Sequence, residues 1–591
     1  MYDVMKSELI NLDGPPNGVL LKDLLGGVNK IFEIPLFQRN YNWTVDNCKE
    51  LYDDIIRSYE LNSSHFIGIF IHYNSSASSL KTSYVLIDGQ QRLTTIMLLL
   101  CAIRDVTDNK KLKEEIDKNF IYNTNANIKF RFKLKQNNYD NDNFEKVLGN
   151  KIESIQTKSK IYINYSKFIT WLSEDSNKID LGKLLESIKR MEAVEIILRS
   201  NNIENVQQIF EKINSTGQPL NAADLIRNYL LFTGNMREQQ ELYNMWTCIE
   251  RIVGVNNITQ FVKSYTIRYS YEIITSRNIY SDFKKQFKSW SHKKILNDML
   301  RYAVYYAIIE ENIYYKYDSE YNVTVENNDD KHINNTLKML DALGTDDLIP
   351  LFMILFDELY KNSKNKLDEI LELILEFMIR YRVVQPSTGG GALQSKIYGI
   401  MKAIDDKSCP LTVKGIYAKL SSYDSDASRY PTDNQFMAHL KENMLAKNGR
   451  VLLYQFARRR NYEIMDFDQN VTLEHLMPQT IDPTKKEGKW WINNLGKSKY
   501  KEIQEKYTDC IGNYALLTRA LNASISNGPW PNKRKEMQVK AFDSETRKVA
   551  EESRWNANSI KERNNKLSNE IRQYITGPKS DMKNGNKWLI N

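Results

Sequence analysis

The alternation of apolar and polar positions divides the chain into segments of different character. Residues 83–87, Ser-Tyr-Val-Leu-Ile, are a short apolar run, the pattern of a buried strand. Asp88-Gly89 makes a turn, and from Gln91 onward Leu93, Ile96, Met97 and Leu100 recur at helical spacing. A strand is therefore predicted to run through a tight turn into an amphipathic helix. A β-prone stretch opens residues 30–43, and another strand is expected around Phe66-Ile67-Gly68, where His65 reads as structural. Residues 129–141, KFRFKLKQNNYDN, read as a strand with a basic face followed by a turn. A helix is expected to end near Ser215-Thr216-Gly217, with Pro219 shortly after. The next opens at Asn221, with Asp224 in its third position supporting the cap.

From residue 236 to 445, leucines and aromatics recur at spacings of three and four, the mark of a packed helical bundle. Within it, residues 322–330, NVTVENNDD, read as a loop, and Ser387-Thr388-Gly389-Gly390-Gly391 as a hinge or tight turn. The bundle reads as a connector able to relay a conformational change. Beyond it a helix carries Arg458, Arg459 and Arg460, and a strand ends in Glu474-His475. A Leu-Met-Pro turn follows, Asn522 falls on a short helix, and residues 553–571 read as a helix.

At 591 residues the chain is too long for one core. The patterns divide a multidomain α+β protein into residues 1–235, 236–445 and 446–591. The net charge of +8 is unevenly spread: residues 446–591 hold 27 Lys and Arg against 17 Asp and Glu, and the rest is slightly acidic. A basic segment attracts phosphate backbones, so nucleic acid is the expected partner, and Arg458, Arg459 and Arg460 on one side of Glu474-His475 and Lys533, Arg534 and Lys535 on the other are candidates to track it. Five dispersed cysteines without a C-x-x-C pair argue against a zinc knuckle or disulfide framework and for a reduced, cytoplasmic compartment. The N-terminus lacks a signal-peptide core, and the apolar runs are too short to span a bilayer, so no membrane partner is expected. A homo-oligomer is compatible with the chain.

Two constellations carry chemistry. In the first, the turn after residue 87 aims free backbone N–H groups outward, a ready anion site. Gly89 lets the backbone approach a phosphate, Arg92 adds a fixed positive fork, and Gln90 and Gln91 donate and accept. Alone, this reads equally as an ordinary strand–helix junction. Fifty residues earlier stands Phe37-Gln38-Arg39, followed by Tyr41 and Trp43.

In the second, an acidic residue beside a histidine (Glu474-His475) is joined by a central Asn513 and a distal Asn522. Phosphodiester hydrolysis needs a base to activate water and a cation to hold developing charge. A neutral His is a base near pH 7, and carboxylate and amide oxygens suit Mg²⁺. His475 is then the base, Glu474 and Asn522 the metal ligands, and Asn513 the brace of the loop that aims His475. This is the layout of an HNH, or ββα-metal, nuclease. The gap from His475 to Asn513, which holds Trp490 and Trp491, is longer than in compact HNH nucleases.

With these motifs in this order, the chain resembles the GmrSD and SspE type of modification-dependent DNA restriction proteins. The resemblance implies that residues 1–235 form a ParB/sulfiredoxin-like α/β domain that binds and hydrolyses a nucleoside triphosphate. Gln38, Arg39, Asp88, Gly89, Gln90, Gln91 and Arg92 are its candidate residues, with Asp88, Gln91 and Arg92 implicated in hydrolysis. GTP, ATP, UTP and CTP all stay open as the nucleotide. The resemblance also implies a central helical bundle and a C-terminal HNH domain, embedded in helices, that nicks or cuts double-stranded phage or modified DNA with Mg²⁺ or Mn²⁺. It places the Asn-Ser-Thr-Gly stretch, residues 214–217, near the nucleotide. Two rival readings stay open: a nucleotide-gated DNA-binding switch with a non-cutting HNH fold, and an RNA-directed nuclease toxin.

Overall fold

The structure is a computed structural model that describes residues 17–26, 30–78, 81–123, 132–137, 140–175, 178–198, 221–233, 236–326, 330–385, 391–422, 424–442, 446–460 and 465–575. The helix expected before Ser215, the Asn-Ser-Thr-Gly stretch and residues 387–390 lie outside them. Two compact units result, Met1–Thr247 with Trp290–Leu296, and Cys248–Ser289 with Asn297–Asn591.

The first unit is built on a mixed six-stranded sheet. Its strands are β1 (Asn17–Leu20), β2 (Lys30–Glu33), β3 (Phe66–Ser78), β4 (Lys81–Asp88), β5 (Leu134–Lys135) and β6 (Glu192–Leu198), in the order β1-β6-β3-β4-β2-β5. β2 runs parallel to β4 and β5, and β3 parallel to β6, while β1–β6 and β3–β4 are antiparallel. The basic strand expected over residues 129–141 is reduced, among described residues, to Leu134–Lys135 and a bridge from Phe132 to Tyr122.

Helix α1 (Val45–Leu61) is capped by Thr44 and Asn47, and α2 (Gln90–Val106) follows β4 directly. α2 departs from the amphipathic pattern: Gln90, Gln91 and every residue from Leu93 to Arg104 are buried. Its polar positions are satisfied internally. Thr94 and Thr95 donate to the carbonyls one turn back, and Arg104 is held by Asp105, Asp117 and the carbonyls of Val147 and Leu148. With those groups paired, apolar residues flank the helix all round, and it becomes the centre of the core. Helix α3 (Lys160–Glu174) packs along it. Helix α4 (Ala222–Leu231) opens at Asn221 as the sequence predicts, the Asn side chain accepting from Asp224 N at 2.8 Å.

The second unit is mainly helical, and none of the described helices in either unit is long and apolar enough to cross a membrane. The expected loop over residues 322–330 contains a strand instead: β8 (Val323–Glu326) pairs antiparallel with β7 (Tyr314–Tyr317). Val-Thr-Val is a strand-forming alternation once a tyrosine-rich partner lies beside it. Helix α5 (Lys364–Val384) is buried over most of its length, including Glu372 and Glu376. Arg458 and Arg459 of helix α6 (Ala446–Arg459) close on those carboxylates. Arg458 is ion-paired with Glu372, and Arg459 reaches Glu372 at 3.2 Å and Glu376 at 2.7 Å. Arg460 pairs with Glu570 at 2.8 Å. The arginine triplet is thus a structural clasp and not the DNA-facing stripe that its charge alone implies.

Burial alone would raise Glu372, but Arg458 and Arg459 hold it down at about 2. Burial pushes Glu376 up to about 8, with the Glu372 charge adding and Arg459 opposing. A carboxyl raised on folding contributes stability that is complete below its unfolded value, near 4.5, and lost as pH rises through about 8. Glu376→Gln is therefore expected to melt close to wild type at pH 5 and at least about 2 °C above it at pH 8, measured by calorimetry.

Candidate functional site

The first constellation surrounds the β4–α2 turn. Gly89 has φ +94°, and a Cβ there would lie 2.5 Å from the Phe70 ring, so the turn requires glycine. Gln90 donates to Gln38 Oε1 at 3.0 Å, and Gln38 donates to the Ile87 carbonyl at 2.9 Å. Gln91 accepts from Asn42 N at 2.8 Å and donates to the Asn40 carbonyl at 3.2 Å. The two motifs are therefore stitched together, and all three glutamines are buried. Their amides hold the loop; the part-exposed charged groups are Arg39, Asp88 and Arg92.

Arg92 donates to the Ile67 carbonyl, lies over the Phe70 ring and stands 4.0 Å from Asp88. Gly68, at φ +99°, makes room for it: a Cβ there would lie 1.6 Å from Arg92 Nη1. Burial pushes the Asp88 carboxyl above its ordinary range, against the pull of Arg92, the Gly89 N–H and Arg39. Asp224 behaves alike, raised by burial and opposed by Arg39 and Arg227. Arg39 thus acts on two carboxylates, and its buried Nε has no hydrogen-bond partner among the described residues. The sequence reading treats Asp224 as a capping residue only; nothing in its spacing connects it to a motif more than a hundred residues earlier.

The second constellation is a two-stranded sheet and a short helix. Strands β9 (Val471–His475) and β10 (Tyr514–Thr518) pair antiparallel, with His475 opposite Tyr514 and Glu474 opposite Ala515. Helix α7 (Arg519–Ile525) follows, capped by Thr518. Glu474 and Thr472 share one face of the sheet. On that face Asn522 donates to Thr472 Oγ1 at 3.0 Å and to the Leu473 carbonyl at 3.1 Å. His475 points to the opposite face. There its Nε2 lies 3.0 Å from Asp509 Oδ1, and its ring meets Tyr514 edge-on. Tyr514 donates its hydroxyl to the same carboxylate oxygen at 3.3 Å.

Asn513 is completely buried and braces the chain beyond His475. It accepts from Met477 N at 2.8 Å and from Trp555 Nε1 at 3.2 Å, and donates to the carbonyls of Met477 and Thr508, each at 2.9 Å. The long gap before Asn513 folds as helices Lys486–Leu495 and Tyr500–Tyr507, and its end delivers Asp509 to His475. Burial lowers the His475 imidazole below its ordinary value, with Asp509 opposing, which favours the neutral ring near pH 7.

Lys533, on helix α8 (Trp530–Lys540), corrects a reading from charge. It does not track DNA: it is 1% exposed, ion-paired with Glu474, and donates to the His475 carbonyl at 3.0 Å. The donors present fit a hard divalent cation. Glu474 offers a carboxylate, Asn522 keeps its amide oxygen while its nitrogen binds the strand, and the Lys533 ammonium already stands in as a cation on Glu474. Elsewhere among the described residues, His332, Asp368 and Glu372 lie close enough to share an ion, but Glu372 is committed to two arginines.

Asn513→Ala leaves the buried groups of Met477 and Thr508 without partners. A stability loss of about 2–4 kcal/mol is expected, measured by denaturant unfolding of the full chain.

Comparison with known proteins adds identity to this geometry. The family profile of the GmrSD restriction endonuclease N-terminal domain matches residues 21–231, and that of the C-terminal domain of the same endonucleases matches residues 426–570. No curated protein matches the chain. The first match spans the β4–α2 turn, the second spans Glu474, His475, Asn513 and Asn522, and together they cover more than half of the sequence. The chain belongs to the GmrSD family of restriction endonucleases.

Proposed function

We propose that this endonuclease cuts DNA at the Glu474–His475 strand end, by HNH-type chemistry. The observation that carries the reading is the His475 imidazole, held at the end of β9 by Asp509 and favoured as a neutral ring, with Glu474 and Asn522 together on the opposite face of the same strand end. In the proposed reaction His475 takes the proton of a water molecule as that oxygen attacks phosphorus in line. Asp509 orients the imidazole and stabilises its charged form once the proton has moved. Asn513 fixes the chain on which His475 is aimed. Glu474 and Asn522 would hold Mg²⁺ or Mn²⁺, which when bound supplies positive charge to the phosphodiester and its leaving oxygen.

In the same proposal the β4–α2 turn binds a nucleoside triphosphate. Arg39 and Arg92 face its phosphates, Asp88 serves hydrolysis, and Gln38, Gln90 and Gln91 keep the turn in shape. Gly89 gives the phosphates close access to the backbone. Support comes from an orphaned Arg39 Nε beside a helix start whose N-terminus carries no side-chain cap. The preferred substrate in this reading is modified DNA, as carried by phage.

Nicking of supercoiled plasmid with Mg²⁺ tests the cutting reading. His475→Ala is expected to lose roughly a hundredfold or more of the rate, and equal nicking by wild type and His475→Ala would overturn it. Arg39→Ala, which removes no side-chain hydrogen bond among the described residues, is expected to weaken triphosphate binding roughly tenfold at unchanged melting temperature, read by calorimetric titration. Binding as tight as wild type would remove Arg39 from the site.

A further inference from the structure

A buried ammonium sits on the very carboxylate assigned to the metal. Lys533 reaches it from α8, a helix fixed by Trp530, whose Nε1 donates to the Glu552 carbonyl at 3.0 Å, and by the fully buried Met537. Its ammonium bridges the Glu474 carboxylate and the His475 carbonyl, two oxygens of the kind that ligate a hard cation. Glu474 is only 7% exposed, so little water screens the pair. In such surroundings a dication placed on Glu474 would be repelled strongly by an ammonium still bound there.

We infer that Glu474 is one cation position with two alternative occupants, the Lys533 ammonium and a divalent metal ion, so that Lys533 holds the site shut until metal displaces it. The inference rests on the metal reading above. The flexible four-carbon stem of lysine makes the exchange feasible without moving α8. Lys533 also explains how the strand end keeps its shape before metal loads: without it, Glu474 would be a buried carboxylate with no counter-charge, a strongly destabilising arrangement.

The test is Mn²⁺ binding to the full chain, by calorimetric titration and by electron paramagnetic resonance of free Mn²⁺, with thermal unfolding alongside. Wild type, Lys533→Met, Lys533→Arg and Glu474→Gln are compared. Lys533→Met is expected to bind Mn²⁺ roughly tenfold tighter than wild type or better. Its melting temperature should fall without metal and recover with Mn²⁺, a rescue that a merely structural lysine would not show. Lys533→Arg, which keeps the charge, should bind no more tightly than wild type. If Lys533→Met does not fold without metal, refolding in Mn²⁺ replaces the titration: recovery of folded protein supports the exchange, and failure to recover overturns it. Unchanged or weaker binding by Lys533→Met, with binding abolished in Glu474→Gln, overturns the exchange and leaves the metal reading standing. Equal binding by Glu474→Gln and wild type overturns both.

Discussion

The ion pair between Glu474 and Lys533 is the interaction on which the C-terminal site depends. Two charges taken out of water are costly, and the cost is offset only when each has its partner in good geometry. Here the pair does more than cancel charge. Lys533 also grips the His475 carbonyl, so one ammonium ties α8 to the last two residues of β9. Beyond the strand, Asn513 closes the following turn with four hydrogen bonds, one of them from Trp555. The imidazole of His475 is therefore mounted on backbone fixed from both sides, and Asp509 sets its orientation. In the proposed reaction, preorganisation of this kind lets a single histidine work as a base without spending binding energy on ordering the loop.

The β4–α2 turn follows the same logic with different parts. Gln38, Gln90 and Gln91 are buried amides that satisfy one another and the backbone. Glycine at positions 68 and 89 is demanded by the close approach of Arg92 and Phe70. The uncharged members of the motif thus build the loop, while Arg39, Asp88, Arg92 and Asp224 give it an electrostatic character. At both sites residues that look like chemistry in one dimension divide, in three, into those that hold and those that face outward.

Much of this was legible in the sequence because it is local. The apolar run into Asp88-Gly89, the Asn221 cap, the strand into Glu474-His475 and the short helix under Asn522 all follow from periodicity and capping within a dozen residues. What was not legible depends on partners far along the chain. Asp509 comes to His475 from 34 residues away, and Lys533 to Glu474 from 59. A lysine in a basic cluster reads as solvated until its carboxylate is found, and the same holds for Arg458 and Arg459 against Glu372 and Glu376. Helix α2 looked amphipathic because Thr94, Thr95 and Arg104 are polar in type, although each is satisfied internally. β8 was hidden because a three-residue alternation means little without its neighbour.

The central claim is that one cation position on Glu474 serves a phosphodiester presented to His475. The most direct measurement is anomalous diffraction from crystals of the full chain bound to duplex DNA and Mn²⁺. A manganese peak coordinated by Glu474 and Asn522 is expected, with the Lys533 ammonium displaced and a backbone phosphate within reach of His475. Manganese and phosphate bound together elsewhere, with Lys533 still on Glu474, would contradict it.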